Sequence, residues 1–118
     1  MSDLKKILES FCKIEGVKGA FLTDKDGQLR EKIIEEDIEI EVLKSFLYDS
    51  TRIGVDIALD IQKDRLNQSY LEFEDMSLTS IILANDDILT IFSSSGVNLG
   101  RIRLEIRKNK KTIESLLN

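Results

Sequence analysis

The chain has 118 residues, a net charge of −5 at pH 7, and neither histidine nor proline. Its length suits one domain with its own core, and 42% hydrophobic with 33% charged residues is typical of a soluble globular protein. The lack of histidine excludes imidazole catalysis and imidazole metal ligands, and the single cysteine excludes an intrachain disulfide and a cysteine zinc site. We therefore expect one cytoplasmic domain over residues 1–118, with no cofactor, no metal, no nucleic-acid partner and no membrane insertion.

Charge is distributed unevenly along the chain. Residues 99–118 carry a net charge of +4, which leaves −9 for the rest, and the acidic residues concentrate in segment 31–41. An acidic body does not suit general nucleic-acid binding. The basic end predicts either a solvated helix face or a docking surface for an acidic partner.

The first predicted element is a helix from about Leu4 to Ile14. Its apolar residues recur at helical spacing, Asp3 is a candidate cap, and Gly16 suits the left-handed position after the last turn. Cys12 lies inside this pattern. We interpret it as a packed small hydrophobe rather than a nucleophile, because no histidine is present to activate it.

A β-hairpin is predicted next, with strands at about 17–24 and 27–34. Asp26-Gly27 between them is a strong hairpin signal, because the turn needs a residue that tolerates positive φ. The rival interpretation is a calcium loop. The stretch lacks the third acidic position and the distant glutamate of an EF-hand, so the turn is favoured.

A long helix is predicted from about Glu39 to Lys63. Its apolar arc is wider than one sheet can cover, so its second side needs another protein surface, and a second copy of the chain is the simplest candidate. Gly54 would let that copy approach closely. The run VDIALDI at 55–61 also alternates like a strand, but the continuity of the pattern favours the helix.

Three short strands are predicted after residue 67, at about Ser69–Glu74, 78–84 and 88–92. In the first strand, Glu72 and Glu74 would share one face. Such a pair resembles catalytic carboxylates, but solvated charges that protect an edge strand explain it better.

The chain closes with a helix that Asn98 is predicted to cap. The element order α-β-β-α-β-β-β-α predicts an α+β fold. We expect a five-stranded antiparallel sheet with the long central helix on one face and the terminal helices packed on the sheet.

The stretch FSSSGVNLGRIR, residues 92–103, has the glycines and serines of a phosphate-binding loop. Such a loop needs two glycines separated by four residues, with lysine and then serine or threonine after the second. Here three residues separate Gly96 from Gly100, and Arg101 and Ile102 follow. We interpret the stretch as a strand-to-helix connection.

Taken together, the chain resembles the roadblock/dynein light chain family. IEGVKGAFLTDKDGQL at 14–29 is similar to the family's first hairpin, and ILTIFSSSGVNLGRIRLEIRK at 88–108 resembles its last strand and final helix. The resemblance covers nearly the whole chain and rests on the order and spacing of several weak motifs. A longin or profilin-like domain is the nearest alternative fold.

The resemblance implies a non-catalytic dimerisation module. Family members pair their third strands and set their long helices side by side, which here implicates about 69–74 and 39–63. The dimer-interface residues so predicted are Leu43, Phe46, Leu47, Ser50, Gly54, Ile57, Ile61, Tyr70, Leu71, Glu72 and Phe73.

The resemblance also implies a partner, because many members bind Ras-like small GTPases. The bacterial gliding-motility type accelerates GTP hydrolysis without inserting an arginine, which leaves catalysis to the GTPase's own groups. The partner-binding residues so predicted are Glu36, Asp37, Glu39, Lys44 and Asp49. The alternative function is a structural adaptor, such as a dynein light chain or a polar-assembly scaffold, without a GTPase. A small-molecule enzyme is the third and weakest candidate.

Overall fold

The computed structural model describes residues 3–34, 39–62 and 66–117, apart from the side chains of residues 40–44, 46–47 and 50–51. Its elements are α1 (Asp3–Cys12), β1 (Val17–Thr23), β2 (Leu29–Ile34), α2 (Ile40–Asp60), β3 (Gln68–Glu72), β4 (Met76–Ile82), β5 (Ile88–Ser94) and α3 (Leu99–Leu117). The strands form one antiparallel sheet in the order β2-β1-β5-β4-β3. The predicted α+β class, the element order and the five-stranded sheet are confirmed.

The first helix is shifted slightly from its predicted range. It begins at Asp3, so this residue lies in the first turn, where its carboxylate favours the helix dipole, rather than before it. The helix ends at Cys12, and Gly16 has a φ of +93°, as predicted for the residue that reverses the chain. The Gly16 carbonyl accepts the backbone N–H of Ser94 at 2.8 Å, which ties this turn to the end of β5.

The β1–β2 turn is built by one aspartate. The Asp24 Oδ1 atom accepts the backbone N–H groups of Asp26 and Gln28, both at 2.9 Å, and Gly27 has a φ of +86°. The turn interpretation of Asp24–Gly27 is confirmed, and one Asp24 oxygen is committed to backbone amides.

Segment 55–61 is helical up to Asp60, so the strand alternative for it is wrong. The helix α2 begins after Glu39, as predicted. It ends three residues before Lys63, which lies outside the described residues. Because this segment is helical, its apolar residues lie on several sides of α2, and some of them are exposed.

The third strand is shorter than predicted. Phe73 and Glu74 lie beyond its end, because the Phe73 N–H donates to the Met76 carbonyl at 2.7 Å and closes a tight turn into β4. The expected Glu72–Glu74 arrangement on one strand face is therefore wrong. The next two strands also extend past their predicted limits, since β4 begins at Met76 and β5 reaches Ser94.

The main core lies between α1, α3 and one face of the sheet. Leu8 and Phe11 of α1 meet Ile102 and Ile106 of α3 over the central strands. The buried residues of this core are Leu8, Phe11, Ile14, Val17, Ala20, Leu22, Ile81, Leu83, Leu89, Ile91, Ile102, Ile106 and Ile113. The two terminal helices thus share one core with β1, β4 and β5.

A second, smaller cluster occupies the other face of the sheet. Phe21, Leu78 and Phe92 are buried there, with Leu71 and Met76 packed against them. These residues alternate along their strands with those of the main core, as the two-residue period of a strand requires. The position of the central helix over this face stays a prediction.

A buried hydroxyl in β4 affects the stability of the sheet. Among the described residues, the fully buried Thr79 has a side-chain oxygen with no hydrogen bond, whereas the Thr90 Oγ1 atom lies 3.2 Å from the Ser80 hydroxyl. An unpaired buried hydroxyl costs stability that a methyl group in the same place would not. We expect Thr79→Val to raise the free energy of unfolding by about 1 kcal/mol.

Chemical denaturation measures this effect, and Thr90→Val is the matched control. That control removes a hydroxyl with a partner and should lower the free energy of unfolding by about 1 kcal/mol. An equal loss of stability in both variants would mean that Thr79 has a buried partner, such as a water molecule.

A half-buried ion pair joins the edge hairpin to the turn that precedes β5. The Arg30 Nε atom lies 3.0 Å from Asp87 Oδ2, whose side chain is only 4% exposed, and the Asn85 side chain donates to the same oxygen at 3.1 Å. Burial raises the pKa of the Asp87 carboxyl above its ordinary value of 3.8, against the opposing effects of Arg30 and Asn85. Asp24 and Asp86 raise this pKa further.

The raised pKa gives Asp87 a defined effect on stability. Because the folded state holds this proton more tightly than the unfolded chain, the contribution of Asp87 to stability increases as the pH falls through the raised pKa toward 3.8. We expect the difference in unfolding free energy between wild type and Asp87→Asn to increase as the pH is lowered from 7 to about 4. Urea titrations at several pH values measure it, with the exposed Asp26→Asn as a control. A difference that falls with decreasing pH would contradict this sign.

Candidate protein-interaction surface

An apolar stripe on α2 is exposed to solvent. Ile53, Ile57 and Ile61 are 58%, 54% and 60% exposed, and their spacing of four residues places them along one side of the helix. Ala58, which is 8% exposed, marks the side of α2 that faces the rest of the chain. A contiguous apolar stripe of this kind indicates a protein-interaction site.

Close packing at Gly54 occurs within the chain itself. A Cβ atom built on Gly54 would lie 2.6 Å from Leu66 Cδ2, so the segment that leads into β3 already uses the space that glycine leaves. An approach by a second copy at this position stays a prediction. Ile57, about one helical turn after Gly54, is 54% exposed and is not covered in this way.

The β3 strand lies at one edge of the sheet and β2 at the other, which confirms the edge position predicted for β3. The two edges differ in charge. The strand β2 carries Arg30, Glu31 and Lys32 in succession, whereas β3 has one charged residue, Glu72. Because charged side chains hinder edge-to-edge pairing, β3 is the edge that better suits a second strand.

An acidic ridge runs along α2 opposite Ala58. It consists of Asp49, Asp56 and Asp60, all exposed, at helical positions i, i+7 and i+11. The exposed Glu39 immediately precedes the helix. This ridge is negatively charged and borders the apolar stripe.

A cavity of about 340 Å³ opens on another side of α2. Tyr48, Arg52 and Val55 line it from the helix, and Ile82 and Ile88 line it from the ends of β4 and β5. The turns contribute Lys25 and Asp86. The lining is largely apolar, with charged side chains at its borders.

Not every predicted site residue can be placed. Glu36 and Asp37 lie outside the described residues, as do the side chains of Leu43, Lys44, Phe46, Leu47 and Ser50. Of the others, Ile57, Ile61, Glu39 and Asp49 are exposed on or beside α2, and Tyr70, Leu71 and Glu72 lie on the edge strand. Phe73 lies in the turn after that strand. Ile53, Asp56 and Asp60 were not among the predicted site residues, although their helical spacing from Asp49 and Ile57 was visible in the sequence.

The loop 95–98 connects β5 to α3 without a phosphate-binding signature. The Asn98 Oδ1 atom accepts the Arg101 N–H at 3.2 Å, which confirms the predicted cap. Gly96 has a φ of +82°. The stretch is accounted for as a strand-to-helix connection.

Within residues 3–34, 39–62 and 66–117, no group of three or more acidic or cysteine side chains is arranged to hold a metal ion. No helix in these ranges has the length and apolar character needed to cross a membrane.

Solved structures share this architecture over nearly its full length. The chain superimposes on MglB of Myxococcus xanthus with a TM-score of 0.83 and 22% identity, and on a roadblock/LC7 domain of Streptomyces avermitilis with a TM-score of 0.87 and 13% identity. Each superposition covers 98% of both chains. The chain has the roadblock/LC7 fold. The family resemblance drawn from the two motif regions is confirmed at the level of the fold.

Sequence relatives add no assigned activity. The uncharacterized proteins MJ1340 and MJ0310 of Methanocaldococcus jannaschii are each 24% identical over 113 residues, which is 96% of this chain and 98% of theirs. No protein-family model matches the chain. In this roadblock fold, the exposed stripe and ridge of α2 and the lightly charged β3 edge form the candidate interaction surface.

Proposed function

We propose that the protein is a non-enzymatic, homodimeric regulator or scaffold of a Ras-like small GTPase. The observation that carries this proposal is the exposed apolar stripe of α2, set beside an acidic ridge in a roadblock fold. The stripe supports a protein contact, and the fold supports this class of partner through the family resemblance.

The dimer would use two elements together. The edge strand β3 would pair with β3 of a second copy, and the two α2 helices would then lie side by side across the shared sheet. Ile57 and Ile61 would be buried between the helices, which would remove their apolar surface from water. Tyr70, Leu71 and Glu72 would contribute from the strand.

The GTPase would dock on the acidic side of the paired helices. Glu39 and Asp49 are exposed on this side and would contact the GTPase. Glu36, Asp37 and Lys44 complete the proposed contact. Binding would act by differential affinity for one conformation of the GTPase switch segments, which shifts the population toward that conformation. Any acceleration of hydrolysis would come from the GTPase's own groups as they are held in place.

A binding experiment tests the GTPase proposal. Small GTPases from the same genome, loaded with GDP or with a non-hydrolysable GTP analogue, are titrated with the purified protein, and single-turnover phosphate release is followed in parallel. We expect binding that depends on the nucleotide. Glu39→Arg with Asp49→Arg should weaken it about tenfold or more, because two charges at a contact change sign.

A single charge reversal at another surface provides the control. Glu15→Arg alters an exposed residue of the α1–β1 turn, outside α2 and its cavity, and should leave GTPase binding unchanged. If no small GTPase of that genome binds in either nucleotide state, the GTPase function is wrong, whatever the oligomeric state.

A structural adaptor is the second candidate function. The lightly charged β3 edge favours it, because the same edge can accept a strand from a different protein. A pull-down that recovers filament or motor components, and no GTPase, would support the adaptor over the regulator.

A further inference from the structure

The exposed face of α3 is basic because five cations are exposed there, whereas both acidic residues of the helix are half-buried. The Glu114 carboxylate accepts the Ala84 N–H in the β4–β5 turn, and the Glu105 carboxylate accepts the Asn109 side-chain amide at 3.1 Å. The cations on the outer face are Arg101, Arg103, Arg107, Lys108 and Lys111, all exposed. None of them forms an ion pair with a residue that the structure describes.

This basic face has an apolar residue at its centre. Leu104 is 59% exposed and lies opposite the buried Ile102, Ile106 and Ile113 side of the helix. Cations surround Leu104 at helical neighbour positions i−3, i+3, i+4 and i+7. We call this arrangement of Leu104 with Arg101, Arg107, Lys108 and Lys111 the basic stripe.

The acidic ridge of α2 has the same pattern with the opposite charge. Ile53, which is 58% exposed, has Asp49 at i−4, Asp56 at i+3 and Asp60 at i+7. The described residues include no ion-pair partner for these three carboxylates. The described residues therefore include two helical stripes of opposite charge, each with an exposed apolar residue and with no ion pair to another described residue.

We propose that the basic stripe of α3 in one copy docks on the acidic ridge of α2 in another copy. Leu104 would pack against Ile53, and the surrounding arginines and lysines would pair with Asp49, Asp56 and Asp60. Because the dimer proposed above uses β3 and a different part of α2, this second contact would join such dimers into larger assemblies. It uses Ile53, not the Ile57–Ile61 part of the stripe, and it goes beyond the proposed GTPase function, although the two contacts share Asp49 and would compete for it.

Other partners fit the basic stripe less well. Binding of an amphipathic helix to a membrane requires a broad apolar face, and the outer side of α3 offers mainly Leu104. A nucleic acid would be repelled by the net charge of −9 on the rest of the chain. A second copy supplies both the matching carboxylates and the matching apolar residue.

Static light scattering with size-exclusion chromatography tests the contact as a function of salt. Salt weakens exposed ion pairs, since the screening length falls from about 30 Å in 0.01 M salt to about 3 Å in 1 M salt. We expect species heavier than a dimer in low salt at high protein concentration, and their loss in high salt. A mass that does not change with salt would overturn the proposal.

Two charge-reversal variants identify the surfaces. Arg107→Glu with Lys111→Glu reverses part of the basic stripe, and Asp56→Lys with Asp60→Lys reverses part of the acidic ridge. Each variant alone should lower the association constant about tenfold or more, because attraction becomes repulsion. An equimolar mixture of the two should recover association, because each reversed stripe then meets its complement.

The control changes the same charge at another place. Lys25→Glu with Lys32→Glu alters two exposed residues of the first hairpin and should leave association unchanged. Failure of the mixture to associate would overturn the docking of these two stripes. Binding of phosphatidylserine vesicles or duplex DNA that depends on Arg107 and Lys111, without self-association, would assign the basic stripe to another partner and would also overturn it. None of these measurements needs a GTPase, so they are independent of the proposed function.

Discussion

Ile57→Glu is expected to convert the proposed dimer into a folded monomer. Ile57 is 54% exposed in the single chain, so a charged side chain at this position can remain in water when the chain is alone. In the dimer, the same side chain would be buried in each of two copies. Losing about 2 kcal/mol of apolar burial per copy raises the dissociation constant about a thousandfold, and charge burial adds to the effect.

Light scattering measures the mass, which should fall from twice 13.5 kDa to 13.5 kDa at micromolar concentration. Circular dichroism should show that the helical content and the cooperative thermal transition remain. A variant that stays dimeric would place Ile57 outside the interface. Wild type that is itself monomeric would contradict the dimer directly.

Ala58→Glu is the matched control on the next residue. Ala58 is 8% exposed and faces the rest of the chain, so a glutamate there must be buried or must displace α2. We expect this variant to lose several kcal/mol of folding stability, in contrast to Ile57→Glu. The two neighbours thus separate a loss of association from a loss of folding.

The order of the elements was predictable because each one has a local signal. The hairpin was predictable from its turn residues. Asp24 and Gly27, which lie within four residues of each other, form the turn. The helical period of 40–60 was likewise continuous enough to exclude a strand. Element ends were less predictable. The turn that follows Glu72 depends on a hydrogen bond from Phe73 to Met76, which no local pattern of apolar residues reveals.

Long-range contacts were not predictable from local patterns. Leu66 fills the space beside Gly54 from twelve residues away, so the glycine alone could not show whether its neighbour was the same chain or a second copy. The ion pair of Arg30 with Asp87 spans the strand β1, which lies between them in the sheet. The basic composition of the last helix was visible. The sequence did not show that Glu105 bonds to Asn109 and that Glu114 bonds to the β4–β5 turn, away from the outer face of this helix.

Gly19→Val is expected to destabilise the fold more than any surface change described above. A Cβ atom at Gly19 would lie 2.8 Å from the Ile33 carbonyl oxygen and 3.1 Å from the Ile34 Cα atom. Both are backbone atoms of the paired strand β2, so no side-chain rotation relieves the clash. The β1–β2 pairing must open or shift, which costs about 3 kcal/mol or more.

Urea denaturation measures this loss, and Gly100→Ala is the control glycine. Gly100 lies in the first turn of α3, where a Cβ atom would meet only the Asn98 Oδ1 atom at 3.3 Å. Alanine favours the helix there, so stability should change by less than about 1 kcal/mol.

Because Gly19 pairs with Ile34 on one side and with Phe92 on the other, its loss should loosen the edge hairpin without unpairing β4 from β5. Hydrogen exchange should then show faster exchange of the β1 and β2 amides, with β4 and β5 protected. Equal loss of protection in all four strands would instead mean that the sheet unfolds as one unit.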